Sequence, residues 1–196
     1  MATLPDDARR ILEFWFGAPG TAEHGNHRRL WFEKHDDTDA AIANRFGPLI
    51  EAALAGGLTD WDASEHGVLA RILLLDQFTR NVFRDTPRAF AGDALALCAA
   101  RALIDRGGDA GLIPVERIFA YLPFEHAEAP AEQARAVALF KALRDAHPGF
   151  ENTYDYALRH QAVIVRFGRF PHRNAILGRV STPAEQTFLA TPGARF

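Results

Sequence analysis

The residues best suited to chemistry lie in the arginine-rich stretch from His160 to Thr182. From residue 156 to residue 184 the chain has no acidic residue and five arginines: Arg159, Arg166, Arg169, Arg173 and Arg179. These alternate with apolar residues such as Phe167 and Phe170, so they cannot all point freely into water. A partly buried guanidinium needs a carboxylate, a carbonyl or an anionic ligand as its partner. The stretch is therefore either an anion site or a structural segment whose arginines bind protein groups.

A turn inside this stretch supports the anion site. Gly168 and Pro171 bracket one arginine, and a short helix is expected to begin just after the proline. The free N–H groups and the positive dipole at the start of a helix attract anions, and arginine binds phosphate and carboxylate groups through two hydrogen bonds. His172 is a candidate proton carrier. The predicted ligand-binding residues here are Arg166, Arg169, Arg173 and Asn174.

A second polar set follows an apolar run, Val68 to Leu75, that is apolar around nearly its whole circumference, as in a helix buried on most sides. Asp76, Arg80 and Arg84 are spaced four apart, so they are expected to share one helix face. Two arrangements are open. Asp76 pairs with arginines as structural support, or this set faces the arginine-rich stretch across a pocket. In the second case the ligand-binding residues are Asp76, Gln77, Arg80, Asn81 and Arg84.

A third set is Glu125, His126 and Glu128, in Y-L-P-F-E-H-A-E. A histidine beside carboxylates can act as a general base that a carboxylate orients. We therefore predict His126 or His172 as the proton carrier, with Glu125 or Glu128 orienting it. The spacing differs from the Glu-x-x-His of di-iron proteins and from the His-Glu-x-x-His of zinc proteases, so no metal site is predicted.

The elements that must position these residues are helical throughout. Apolar residues recur at a period near 3.6, and no strand pattern persists. Ser64 is expected to cap one helix, and Pro114 and Pro130 to open two others. The T-P-A-E sequence beginning at Thr182 predicts a capping box. Thr86 with Pro87 is expected to open a helix that runs through Phe90 to Ile104.

Other helix boundaries are marked less sharply. Asp37 or Thr38 is expected to cap a helix that Pro48 kinks or breaks near residues 45–47. Asn152 or Thr153 is expected to cap a helix that stops at a left-handed Gly168. The single cysteine, Cys98, is expected in the core, and the three tryptophans are expected as core residues or as anchors between helices.

The totals limit the class of protein. A chain of 196 residues with 48% hydrophobic content fits a single domain, residues 1–196. A net charge of −3 argues against binding to nucleic acid or to an anionic membrane surface. The acidic N-terminus does not resemble a signal peptide, and no apolar run approaches the ~20 residues that cross a bilayer. A cytoplasmic protein is therefore expected.

Four segments together resemble a known family: L-E-F-W-F-G, L-L-L-D-Q-F-T-R-N-V-F-R, Y-L-P-F-E-H-A-E and R-F-G-R-F-P-H-R-N-A-I-L-G-R-V-S-T-P-A-E. In this order they closely resemble the uncharacterised family numbered 924 among domains of unknown function, from Ile11 to about Leu189. Ala127 departs from the serine of many members, so a hydroxyl is missing there. The resemblance implies an all-helical fold similar to tetratricopeptide-type superhelices, found in soluble proteins, and implies no activity.

The sequence thus predicts an all-α fold of about eight helices in antiparallel pairs, as a tetratricopeptide-like superhelix or a bundle. The favoured function is a pocket for a small anionic ligand carrying phosphate or carboxylate. The alternatives are a scaffold that binds a protein or peptide, and polar residues whose role is structural. The sequence indicates neither a cofactor nor a reaction, and it does not decide whether the protein is an enzyme or what oligomer it forms.

Overall fold

The computed structural model describes residues 3–194, and within that range it contains helices and no β-strand. The helices are α1 (Asp6–Phe16), α2 (Asp36–Leu54), α3 (Glu65–Ile72), α4 (Thr79–Val82), α5 (Asp93–Asp105), α6 (Pro114–Glu125), α7 (Pro130–Ala146), α8 (Glu151–Phe167) and α9 (Pro183–Leu189). A π-helical segment, Leu73–Phe78, joins α3 to α4 without a break. These three pieces form one continuous helix, so the described residues hold eight helices and the all-α prediction is confirmed.

The chain divides into two compact units. The first contains residues 3–84 and 88–123, and the second contains residues 85–87 and 124–194. The single domain expected from chain length stays a prediction.

The core of the first unit is built from aromatic rings that meet edge to face. Trp15 contacts Phe78 and Phe119, with ring centroids 5.4 and 5.6 Å apart. Trp31 lies 5.0 Å from Phe119. Such pairs contribute ~0.5–1.5 kcal/mol beyond the area they bury. Trp15, Trp31 and Trp61 are buried, so all three tryptophans are core residues, the first of their two predicted roles.

Helix α2 differs from expectation at two points. It begins at Asp36, with His35 at the N-cap, so neither Asp37 nor Thr38 caps it. Acidic residues in the first turn instead complement the helix dipole. The helix continues through Pro48, so the predicted break is absent. The proline sits on the exposed side of the helix, while Phe46 and Ile50 on either side of it are buried and hold it in place.

The π-helical segment is held by side chains and by a close neighbour. The hydroxyl of Thr79 donates to the carbonyl oxygens of Leu75 and Asp76, at 2.8 and 3.2 Å. Gly92 presses against the same turn: a Cβ added at Gly92 would lie 2.1 Å from the Leu75 oxygen. Only a residue without a side chain fits there.

The helix expected from Thr86 to Ile104 is split. A 3₁₀ turn, Pro87–Phe90, comes first, and α5 starts only at Asp93 with Gly92 as its N-cap. Cys98 is exposed, so the prediction of a core cysteine is wrong. Helix α5 buries the face that carries Ala96, Ala99, Ala100 and Leu103, and Cys98 lies on another face.

The second unit is organised by α7 and α8, which pack along each other. Val163 and Ile164 of α8 form its core with Phe170. Gly168 ends α8 in the left-handed conformation, with φ of 70°, as predicted. The start of α8 was predicted wrongly, because Phe150 is the N-cap and the hydroxyl of Thr153 donates to the Phe150 carbonyl.

Four helix starts predicted from the sequence are confirmed. The Ser64 side chain accepts from the Gly67 N–H and so caps α3. Pro114 and Pro130 open α6 and α7. Thr182 and Glu185 form the predicted capping box of α9. No helix between residues 3 and 194 combines the length and the apolar character needed to cross a membrane.

Candidate functional site

Two histidines and an arginine of the second unit gather around the buried ring of Phe170, and a third histidine lies beside one of them. We call Glu125, His126, His160, His172 and Arg173 the histidine cluster. The ring of His160 lies 6.3 Å from that of His126 and 5.5 Å from that of Phe170, and Phe170 lies 5.7 Å from His172. Glu125, His160 and Arg173 are buried, whereas His126 and His172 are partly exposed.

His160 is held as a neutral imidazole. Its Nδ1 lies 2.9 Å from the carbonyl oxygen of Tyr156 and 3.1 Å from Oε1 of Glu125. Because a carbonyl can only accept, Nδ1 carries the proton. Burial lowers the pKa of His160 to about 3, outweighing the Tyr156 carbonyl, which raises it. The positive charge of neighbouring side chains in the cluster lowers this pKa further.

Arg173 brings a buried positive charge to the cluster. Its guanidinium lies over the Phe170 ring, 4.6 Å from the ring centroid, and its Nη2 donates to the carbonyl oxygen of His126 at 3.0 Å. The guanidinium is thus placed by a cation–π contact on one side and a backbone carbonyl on the other. Arg173 and His160 are arranged around the same aromatic ring.

The end of α6 that carries Glu125 and His126 is held by Gln133, which is fully buried. Its Nε2 donates to the carbonyl oxygens of Glu125 at 2.6 Å, Ala127 at 2.8 Å and Phe124 at 3.4 Å. With Arg173 on the His126 carbonyl, four consecutive carbonyl groups have side-chain donors. The turn that presents the cluster's carboxylate and first imidazole is therefore tightly fixed.

Glu128 lies beside the cluster but is occupied by a structural contact. It accepts from the backbone N–H of Phe170 at 2.7 Å and from both terminal nitrogens of Arg179, at 2.6 and 2.9 Å. Burial raises the pKa of Glu128, but the hydrogen bonds from Arg179 and Phe170 outweigh it and the net shift is downward. We call residues 168–182 the arginine loop, and Glu128 holds it at two points.

Glu185 holds the arginine loop at its other end. Its carboxylate accepts from Nε and Nη2 of Arg169, at 2.7 and 2.8 Å, and from the Thr182 N–H at 2.7 Å. These contacts, with Arg169 first, lower the pKa of Glu185 to about 2 against the opposing effect of burial. Asn174 is buried inside the loop and accepts from Arg179 Nε at 2.9 Å. Arg169, Arg179 and Asn174 thus have protein partners.

Arg166 has a different setting. Its guanidinium lies over the rings of Phe167 and Phe188, 4.7 and 5.9 Å from their centroids. The side chain is exposed at the edge of a shallow, open groove. The groove is lined by Arg166, Phe167, Arg169, Thr182, Ala184 and Glu185.

The polar residues that follow the apolar run of the first unit separate into two groups. Arg80 lies 3.0 Å from Oδ1 of Asp76 and 3.0 Å from Oδ1 of Asp93. Gln77 donates to the other oxygen of Asp76. Asp76 is almost completely buried, with 1% of its surface exposed. This group lies at the π-helical segment.

The second group is centred on Asp39 of α2. Asn81 donates to Oδ1 of Asp39 at 2.7 Å, and the guanidinium of Arg84 binds both carboxylate oxygens. Arg80 and Arg84 therefore contact different carboxylates, although their spacing had predicted one shared face with Asp76. The end of α4 is the reason, since the helix stops at Val82 and Arg84 lies beyond it, whereas Arg80 inside the helix keeps its contact with Asp76.

Comparison with known protein families identifies this chain. The family described as "Bacterial protein of unknown function (DUF924)" matches residues 11–193. The chain belongs to this family. A solved structure, of the protein of unknown function ATU0120 from Agrobacterium tumefaciens, is 39% identical, with a TM-score of 0.81. The similarity covers 93% of this chain and 96% of that one, and no curated protein matches.

The DUF924 match confirms the family resemblance carried by the four motifs. The tetratricopeptide-like arrangement stays a prediction. Within the ranges that the structure describes, no group of three histidine, cysteine, aspartate or glutamate side chains is placed to hold a metal ion.

Two residues at the histidine cluster were missed as candidates in the sequence. His160 occupies the buried face of α8 together with Ala157, Val163 and Ile164. A histidine at a core position of an amphipathic helix is a usable signal, because it needs polar partners where water is absent. Gln133 gave a weaker signal, since a glutamine near the start of a helix is common. Its partners are backbone carbonyl groups, which every residue has, so no residue type in the sequence marks them.

Proposed function

We propose that the protein binds a small anion carrying phosphate or carboxylate groups at the histidine cluster of the second unit. The observation that carries this proposal is the buried Arg173 guanidinium, which lies on Phe170 together with the imidazole rings of His160 and His172. Positive and hydrogen-bond-donating groups gathered in a poorly hydrated place attract an anion. His126 and His172 are partly exposed, so a small ligand can reach the cluster from their side.

The roles within the cluster follow from burial and from position. Arg173 supplies the charge that binds the anion, and Arg166 at the shallow groove is an exposed second arginine for a larger ligand. His126 or His172 transfers a proton if the ligand is a substrate, and Glu125 orients the imidazoles. Four of the other predicted ligand residues serve mainly as structural partners of carboxylates: Arg80, Asn81, Arg84 and Arg169.

The test is a thermal-shift titration with inorganic phosphate, sulfate and citrate at constant ionic strength. A ligand at 100 times its Kd adds ~2.7 kcal/mol to the free energy of unfolding. We expect at least one of these anions to stabilise the wild type. Arg173→Gln should abolish the anion-dependent shift, and Arg173→Lys should keep a weakened one because the positive charge remains.

Arg169→Gln is the matched control, because it removes an arginine of the same loop that is bound to Glu185. This variant should melt at a lower temperature yet keep the full anion-dependent shift. The proposal is wrong if Arg173→Gln responds to the anions as the wild type does, or if no anion stabilises the wild type.

A second candidate function rests on the exposed face of α8. Leu158 and Val165 are 37% and 77% exposed, and the exposed Ala162 lies between them at helical spacing. Such an apolar stripe on a helix can dock a protein or a peptide. In this alternative, the scaffold reading of the sequence, the buried polar groups stabilise the fold and bind no ligand.

The scaffold function predicts a partner that depends on this stripe. Val165→Glu should abolish retention of that partner on the immobilised protein and leave the melting temperature nearly unchanged, because Val165 makes few contacts. Arg159→Glu is the control, since it changes charge by more on the same helix at a position outside the three residues of the stripe. Equal retention by the wild type and Val165→Glu would rule this function out.

A further inference from the structure

The carbonyl groups at the end of α6 are bound in an unusual way. The last carbonyl groups of a helix have no partner inside the helix. Here residues 124–127 receive hydrogen bonds from two side chains that come from other elements, Gln133 of α7 and Arg173 of the arginine loop. Gln133 alone serves three of these carbonyls through one amide nitrogen.

The orientation of the Gln133 amide is determined by these contacts. Turning it over would place its oxygen against three carbonyl oxygens, which repel it. In the orientation found, Oε1 is buried without a hydrogen-bond partner among residues 3–194. A buried acceptor without a partner lowers stability. The contribution of Gln133 therefore comes from the N–H groups of its amide and not from its oxygen.

The amide holds the carbonyl groups of Glu125 and of Ala127, on either side of His126, and Glu125 and His126 are the residues of this turn that meet His160. Glu125 places its carboxyl group 3.1 Å from Nδ1 of His160, and the ring of the next residue, His126, lies 6.3 Å from the His160 ring. A small rotation of the turn would move both side chains together. The turn therefore sets the distance between the carboxylate and the buried imidazole.

We infer that Gln133 is a positioning residue of the histidine cluster, which fixes Glu125 and His126 against His160 by binding the carbonyl groups of the α6 terminus. This inference rests on the proposed function, because it assumes that the cluster is the ligand site. Gln133 would not touch the ligand itself. It would act through the geometry of Glu125 and His126.

The test compares Gln133→Leu with Leu143→Ala in the full chain. Leucine has nearly the shape of glutamine but no N–H groups to donate. Leu143 is a buried residue of the same helix, so Leu143→Ala lowers stability without changing the donor to α6. The readouts are the side-chain ¹⁵N resonances of His160 and His126 in the ligand-free protein, and the Kd for inorganic phosphate.

We expect Gln133→Leu to shift the His160 and His126 resonances and to weaken phosphate binding at least tenfold. Leu143→Ala should lower the melting temperature by a similar amount with resonances and Kd unchanged. If Gln133→Leu does not fold, Gln133→Met replaces it and is expected to behave alike, because its side chain has no N–H group to donate to the carbonyl groups.

Two outcomes would overturn the inference. One is a Gln133 variant with wild-type histidine resonances and a phosphate Kd within twofold of the wild type. The other is a Leu143→Ala variant that changes the resonances as strongly as Gln133→Leu, since the effect would then follow stability alone. Absence of phosphate binding in the wild type would instead refute the proposed function, while the ligand-free resonances would still test the positioning role.

Discussion

Arg179 and Glu128 are 51 residues apart in the chain, and their side chains form a two-point ion pair with N–O distances of 2.6 and 2.9 Å. This pair answers the question raised by an arginine-rich segment that has no acid of its own. The carboxylates come from outside the segment: Glu128 precedes α7, and Glu185 belongs to α9. The arginine loop is thereby held at both ends.

Breaking this ion pair should destabilise the protein. We expect Arg179→Ala to lower the free energy of unfolding by about 2 kcal/mol, since it leaves a half-buried carboxylate without its charged partner. Urea denaturation measures the loss. Arg144→Ala removes a more exposed pair with Asp145 and should cost clearly less. Equal losses in the two variants would show that the Glu128 pair is an ordinary surface contact.

His160 should make the protein sensitive to acid. Its pKa is about 3 in the folded protein against 6.5 for an ordinary histidine, so below pH 6.5 the unfolded chain binds a proton that the folded chain does not. The free energy of unfolding should therefore fall as the pH drops from about 6.5 towards 3, by up to about 1.4 kcal/mol per pH unit. Unfolding measured at several pH values gives the slope.

Two variants test whether His160 causes this fall in stability with pH. His160→Gln should be less stable than the wild type at pH 8 but should lose less stability between pH 6.5 and 4.5. The hydrogen bond with Glu116 raises the pKa of His66, so its stabilisation is lost as the pH rises above 6.5. His66→Gln should thus leave the loss of stability between pH 6.5 and 4.5 unchanged. If His160→Gln lost as much stability between pH 6.5 and 4.5 as the wild type does, this assignment would be contradicted.

Gly92 is expected to be one of the least replaceable residues of the first unit. Gly92→Ala places a Cβ against the Leu75 carbonyl oxygen, so α5 or the π-helical segment must move. We expect a loss of about 3 kcal/mol, at the upper end of the range typical of overpacking. Gly47→Ala is the control, because Gly47 lies in α2 with open space around it, and it should stabilise by about 0.5–1 kcal/mol. Thermal unfolding compares the two.

Loss of the Arg80 guanidinium should destabilise the protein more than loss of the Asp76 charge. Arg80→Ala leaves Asp76 and Asp93 without their shared cation, and we expect a loss of about 3–5 kcal/mol. Asp76→Asn leaves Arg80 paired with Asp93 and should cost less, about 2 kcal/mol. Urea denaturation of both variants and of the double variant gives the coupling energy. A larger loss in Asp76→Asn would show that Asp76 acts through contacts other than Arg80.

Local chemistry made part of the fold predictable. The capping box of Thr182, the Ser64 cap, the prolines that open helices and the left-handed Gly168 each depend on residues within one turn of one another. Their physical causes can be seen in a short stretch of sequence. Boundaries set by tertiary contact could not be predicted in this way, as the late start of α5 shows. There Gly92 packs closely against the carbonyl group of Leu75, a residue of a different element.

The site shows the same division. The sequence identified Glu125, His126, His172 and Arg173 by type, and the structure places them in one cluster. The sequence could not show which residue pairs with Arg179, because nothing in it links Arg179 to Glu128. His160 was within reach, since its place among apolar residues of α8 is visible in the helical period. Gln133 was beyond reach, because its partners are backbone carbonyls.

The doubly held arginine loop has a consequence for digestion by proteases. Trypsin cuts after arginine, and residues 168–182 contain three arginines outside any α-helix, where a chain is normally easy to cut. Here the guanidinium groups of Arg169 and Arg179 are bound to carboxylates, and Arg173 is buried. A protease must first pull these side chains out of their contacts, so the folded protein should resist trypsin in a segment that its composition marks as a cleavage site.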